Sequence, residues 1–103
     1  MFITNAFSLN MLSYLAATII VTPLTLEAAR EAALGLPSAV GHADTARVFS
    51  SQLGIEVPMA RVNVSLAPGD QLLVGQYKGP RLPEGATTLP EGATIEWCVV
   101  KVL

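Results

Sequence analysis

Apolar and polar residues change their rhythm several times along this chain, and each change predicts an element. Met1 to Thr4 opens with a short apolar run that Asn5 ends, which predicts a brief strand. Ser8 follows as a capping residue for a short helix over Leu9 to Tyr14, with Leu9 and Leu12 on one face. Thr18 to Thr22 is β-branched throughout and predicts a short buried strand that Pro23 stops. Thr25 caps a helix over Leu26 to Leu34, closed by Gly35 and Pro37. Ser38 to Val40 is too short to assign. Beyond Gly41, the residues Ala46, Phe49 and Leu53 recur at helical spacing, so a helix runs from His42 or Ala43 to Leu53 with Gly54 as its stop. Alternation then takes over: Val62, Val64 and Leu66 fall on one side, Arg61, Asn63 and Ser65 on the other. That strand, the Ala67-Pro68-Gly69-Asp70 turn and a strand from Gln71 to Tyr77 form an expected hairpin. Residues 78–94 contain Pro80, Pro83 and Pro90 and read as a loop with an internal echo. Leu82 to Thr87 and Leu89 to Thr94 both spell Leu-Pro-Glu-Gly-Ala-Thr. Ile95 to Leu103 is a final, mostly apolar strand expected at the centre of the sheet. The economical architecture is an α/β fold, a mixed sheet of about five strands flanked by helices, in one domain over residues 1–103.

Composition narrows what this fold can do. A chain of 103 residues suits one domain, and 51% apolar residues with a net charge of −2 exclude disorder. Six Lys plus Arg against eight Asp plus Glu cannot supply the basic footprint of a duplex-binding protein. A small polyanion is a different matter, since two or three well-placed basic groups suffice. One cysteine, Cys98, excludes an intrachain disulfide and a multi-cysteine zinc site, and one histidine leaves any metal to lean on carboxylates. A domain without metal or cofactor is therefore expected. The first 29 residues contain no Lys or Arg, so the apolar run from Leu15 to Val21 has no positive flank of the secretory kind. Polar interruptions keep it short of a membrane span, and a cytoplasmic protein is expected. With only 14% charged residues, apolar surface should remain exposed on a monomer, which favours a homodimer.

Few polar groups can carry chemistry. His42 follows Gly41 at a helix start, where outward-pointing amides favour an anion; there it either begins the helix in solvent or exchanges a proton with a bound phosphate ester. Asp44 reads as a first-turn residue favoured by the helix dipole. Arg81 and Glu84 share the Gly79-Pro80-Arg81-Leu82-Pro83-Glu84-Gly85 loop, where a planar guanidinium fork can meet phosphate oxygens. Glu84 can orient that Arg, accept a hydroxyl proton or position a histidine; the bland alternative is a surface ion pair. Asn5, Ser8 and Asn10 are either turn and cap formers or contacts to ribose and base edges. Cys98, between Trp97 and Val99, reads as an inert thiol, and Tyr77 and Trp97 as packing residues. No phosphate-binding glycine motif or nucleophile elbow is present.

Three segments in order carry a resemblance. Ile3-Thr4-Asn5-Ala6-Phe7-Ser8-Leu9-Asn10-Met11-Leu12 resembles the N-terminal signature of the viral ring nucleases, the type III anti-CRISPR family. Gly41-His42-Ala43-Asp44-Thr45 is similar to the family's helix start, and Gly79 to Gly85 to its Arg-Leu-x-Glu-Gly loop. The resemblance implies a homodimer that binds cyclic tetra-adenylate at the dimer interface. It implies metal-independent cleavage to linear di-adenylate with 2′,3′-cyclic phosphate ends, which switches off type III CRISPR signalling in the cytoplasm, that of the host if the gene is viral. His42 matches the family's catalytic histidine, the general acid on the 5′-oxygen. Arg81 and Glu84 match its other functional pair, Asn5 and Ser8 match its ligand-contacting positions, and Asn10 is carried with them as a ligand contact. Gln76 is carried as a further ligand contact, and the echo makes Glu91 a lesser rival to Glu84. The alternative is a non-catalytic module that sequesters a cyclic oligonucleotide or a protein partner.

Overall fold

A computed structural model describes all 103 residues, and its centre is a four-stranded mixed sheet. The strands are β1 (Phe2–Thr4), β2 (Ile19–Leu24), β3 (Gln71–Lys78) and β4 (Thr94–Val102), in the order β1-β3-β4-β2. β1 runs parallel to β3, while β3 and β2 flank β4 antiparallel. The final strand is central, as its apolar run requires. Two helices, α1 (Leu26–Ala33) and α2 (Ala43–Leu53), complete the regular structure with a single 3-10 turn at Leu9–Met11.

Both helices begin and end where local chemistry dictates. The Thr25 side chain accepts the Ala28 amide at 3.1 Å and caps α1. His42 is the N-cap residue of α2 without a capping side-chain bond, and Gly54 closes that helix in the left-handed region at φ 71°. Alternation along the strands then splits the core in two. Ile3, Leu73 and Trp97 point to one face, where Ala29, Ala33, Phe49 and Leu53 of the helices meet them. Leu72, Val74, Val100 and Val102 point to the other, where the irregular segments bring Val64, Leu66, Phe7, Met11 and Leu12.

Three expectations need correction. Arg61 to Leu66 is not a strand, so the sheet has four strands rather than about five, and the hairpin is β3–β4 with the proline-rich loop as its connection. Val64 and Leu66 are buried but Val62, the third apolar position of the alternation, is exposed; the buried pair lies over the face of the sheet, and only Leu66 makes a bridge, to Leu12. One buried side per two residues specifies a surface to cover, not a place in the ladder. Second, β2 is no buried strand. It is an edge strand with Ile20 and Val21 exposed, and it runs through Pro23 to Leu24. The Leu103 amide bonds the Thr18 carbonyl, so by antiparallel alternation Ile20, Thr22 and Leu24 turn their backbone groups to β4 while Ile19, Val21 and Pro23 turn theirs away. Pro23 thus costs the ladder no donor. Third, the helix expected over Leu9 to Tyr14 is only the short 3-10 turn, and Leu9 is exposed.

Candidate functional site

Helix α2 and the β3–β4 loop meet at one end of the sheet and enclose a recess of about 760 Å³. His42, Asp44 and Arg47 line it from the helix, Tyr77 from the end of β3, and Arg81 and Glu84 from the loop. His42 is exposed, and the Ala46 amide is the first of the helix to reach a carbonyl, that of His42 itself. The earlier amides of Ala43, Asp44 and Thr45 therefore lack a helical partner, as at any helix N-terminus, and add partial positive charge there.

The loop is shaped from both ends. Gly79 adopts φ 147°, and a Cβ there would lie 2.8 Å from the Cα of Ala93, so this position brings the two ends of the connection together. The Tyr77 hydroxyl donates to the Pro80 carbonyl at 2.5 Å. Farther along, the Gly85 amide donates to Oδ1 of Asp44 at 3.2 Å, and Nε of Arg47 donates to the Ala86 carbonyl at 3.3 Å. Arg47 also forms an ion pair with Asp44. The other ion pair of the chain joins Lys78 to Glu96, so Arg81 has no carboxylate partner and stands as the open cation of the recess. A planar cation and a histidine beside free helix amides are a set of groups that can hold a phosphodiester, neutralise charge on its oxygens and move a proton.

The remaining candidates are distributed around this centre. Asn5 lines a second recess of about 450 Å³, together with His42, Arg61 and Asn63, so His42 stands between two concavities. Ser8 and Asn10 line neither; the Ser8 side chain accepts the Asn10 amide at 3.3 Å and caps the 3-10 turn. Gln76 faces a recess of about 790 Å³ at the far end of β2, beside Pro23, Leu89 and Cys98, and Glu91 lines none of the three. Cys98 is half-buried there; burial, then the Glu96 carboxylate, pushes its thiol pKa up, which disfavours the thiolate. Trp97 is buried with its ring centroid 4.9 Å from that of Phe49, while Tyr77 is half-buried at the recess.

Sequence reasoning missed the parts played by Asp44, Arg47 and Arg61. Asp44 reads as a dipole-favoured first-turn residue, yet its carboxylate reaches across to the loop. Arg61, placed by alternation on the outer side of a strand, donates from Nε to the Gly41 carbonyl at 3.2 Å beside His42. No three His, Cys, Asp or Glu side chains gather as a metal-binding group, and no helix is long and apolar enough to cross a membrane.

Fold and recess together define a small α/β protein with a solvent-open, phosphate-compatible site at a helix N-terminus. Its relatives can be named more closely. Residues 1–96 match the STIV B116-like family model, and the chain belongs to that family. It is similar in structure to B116 of Sulfolobus turreted icosahedral virus, with a TM-score of 0.80, 29% sequence identity and 97% of each chain covered. Comparison with curated proteins finds no match.

Proposed function

We propose that the protein is a metal-independent ring nuclease that, as a homodimer, binds cyclic tetra-adenylate across the dimer and cleaves it to linear di-adenylate, ending type III CRISPR second-messenger signalling. The observation that carries this reading is the meeting of His42, Arg81 and Glu84 in one recess at the start of α2. The motifs around these residues are the ones that resemble the viral ring nucleases.

The chemistry is a transesterification. The ribose 2′-oxygen forms a bond to the adjacent phosphorus as the bond from phosphorus to the 5′-oxygen breaks. His42 gives its proton to that leaving oxygen, and the 2′-hydroxyl proton passes to Glu84 or to solvent. The products are a 2′,3′-cyclic phosphate and a 5′-hydroxyl, and no water is consumed. Arg81 holds the non-bridging oxygens as their charge grows, an interaction that strengthens toward the transition state. Two such cuts at opposed phosphodiesters yield two di-adenylates. A two-fold dimer presents each recess twice, which suits a ring of four identical units.

The test is incubation of the purified protein with cyclic tetra-adenylate in EDTA, beside His42→Ala, with products resolved by chromatography. Di-adenylate is expected from the wild type. His42→Ala should lose about 10²–10⁴-fold in rate, the usual worth of a general acid, while still binding the ring. Tight binding without product would make the protein a sequestering module instead, and an absence of both would remove the reading.

A further inference from the structure

The loop that carries Arg81 and Glu84 is fastened to the same helix that begins at His42, and one carboxylate oxygen makes the fastening. Oδ1 of Asp44 accepts both the Gly85 amide, at 3.2 Å, and the Arg47 guanidinium. Arg47 in turn reaches the next peptide, Ala86, through Nε at 3.3 Å. Gly85 directly follows Glu84, so the tie acts at the end of the segment that presents both loop groups. The pairing also sorts the cations: Arg47 is committed to Asp44 and the loop backbone, and Arg81 is left without an ion pair.

We propose that Asp44 is a positioning residue: with Arg47 it latches the Arg81–Glu84 loop to helix α2, and so sets where those two groups stand relative to His42. Its catalytic consequence rests on the nuclease reading; the latch itself does not. The side chains of Arg47 and Asp44 are 46% and 31% exposed, so as an ion pair they contribute little to global stability. What the latch supplies is local order. A loop already ordered on a rigid helix has less freedom to lose when a ligand arrives, and misplacement of catalytic groups by about an ångström is costly to rate. Asp44 touches neither phosphate nor sugar in this scheme. It acts through Gly85 and Arg47.

Amide hydrogen exchange by NMR on the full-length wild type, Asp44→Ala and Asp44→Asn, without ligand, tests the latch. Asp44→Ala should speed exchange at Gly85 by about three- to tenfold, the size expected from losing one partly exposed bond to a charged acceptor. Amides within α1 should keep their rates. Asp44→Asn retains a carbonyl oxygen for Gly85 and should restore most of the protection. In parallel, the single-turnover cleavage rate at saturating cyclic tetra-adenylate should fall about tenfold in Asp44→Ala. It should recover in part in Asp44→Asn, with the wild-type pH profile unchanged in shape. Unaltered exchange at Gly85 in Asp44→Ala overturns the latch. Faster exchange throughout the chain, or faster exchange at Gly85 with an undiminished cleavage rate, overturns the positioning role. If the wild type cleaves nothing, the nuclease reading fails by itself, and exchange at Gly85 still upholds or overturns the latch.

Discussion

Gly75 lies opposite Trp97 in the β3–β4 ladder, and it is glycine because the indole occupies the space a side chain would take. A Cβ built there would lie 2.5 Å from Trp97 and 2.7 Å from Phe49, closer than carbon atoms can approach. Both rings are buried in the helix-facing core and cannot swing into solvent. Gly75→Ala is therefore expected to destabilise the protein by about 1–3 kcal/mol, the usual cost of overpacking a dense core. Urea unfolding followed by Trp97 fluorescence checks it; an unchanged midpoint would mean that the Phe49–Trp97 pair yields more easily than its packing implies. No sequence pattern marks this glycine, because the ring that excludes a side chain lies on another strand. The candidate recess divides in the same way. His42, Arg81 and Glu84 could be singled out as candidates because each sits in a short segment whose neighbours fit anion chemistry, and the fold places all three on one recess. The roles of Asp44 and Arg47 could not, since Gly85 and Ala86 are remote in the sequence and nothing local to α2 points to them.

At the scale of elements, propensity specified strands and helices better than it specified their surroundings. Thr18 to Thr22 is β-branched, and it does become strand, but β-branching describes a fit to a pleated surface and not depth within the protein. Both helices were legible because Thr25, Gly54 and the apolar spacing act locally. The segment from Arg61 to Leu66 was misread because its partner is a sheet face and not a neighbouring strand. The register of β2 gives a sharp test of its edge position. Pro23 turns its nitrogen away from β4, so Pro23→Thr should leave stability within about 0.5 kcal/mol, as for a surface substitution. Thr22 turns its amide toward Val99, so Thr22→Pro removes a ladder donor and should cost about 2 kcal/mol or more. Denaturant midpoints of the two variants compare these directly; equal losses would show that the strand is held by its side chains and not by this hydrogen-bond pattern.

At the scale of the whole molecule, the sheet is covered twice, by helices on one face and by irregular segments on the other, yet large apolar side chains stay in solvent. Leu9 and Leu15 are 70% and 75% exposed, and Tyr14, Val21, Met59 and Val62 are exposed as well. Such surface is what the low charge of the chain foreshadows, and it is the ground for expecting a homodimer. The proposed dimer would have a consequence that no single protomer can reproduce. If each protomer contributes one His42 to one of two opposed phosphodiesters, a dimer of wild-type and His42→Ala chains has one working recess and makes one cut. Mixing the two chains in equal amounts, with time for subunit exchange, should leave about half of the dimers mixed on statistical grounds. These should release linear tetra-adenylate with a 2′,3′-cyclic phosphate end as a transient product, in amounts well above those from wild type alone. Chromatography of the early time course separates that species from di-adenylate. If the mixture instead gives di-adenylate alone, at a rate that simply follows the wild-type chain present, each ring is processed within one protomer. The two-fold ligand geometry would then be wrong even though the recess works.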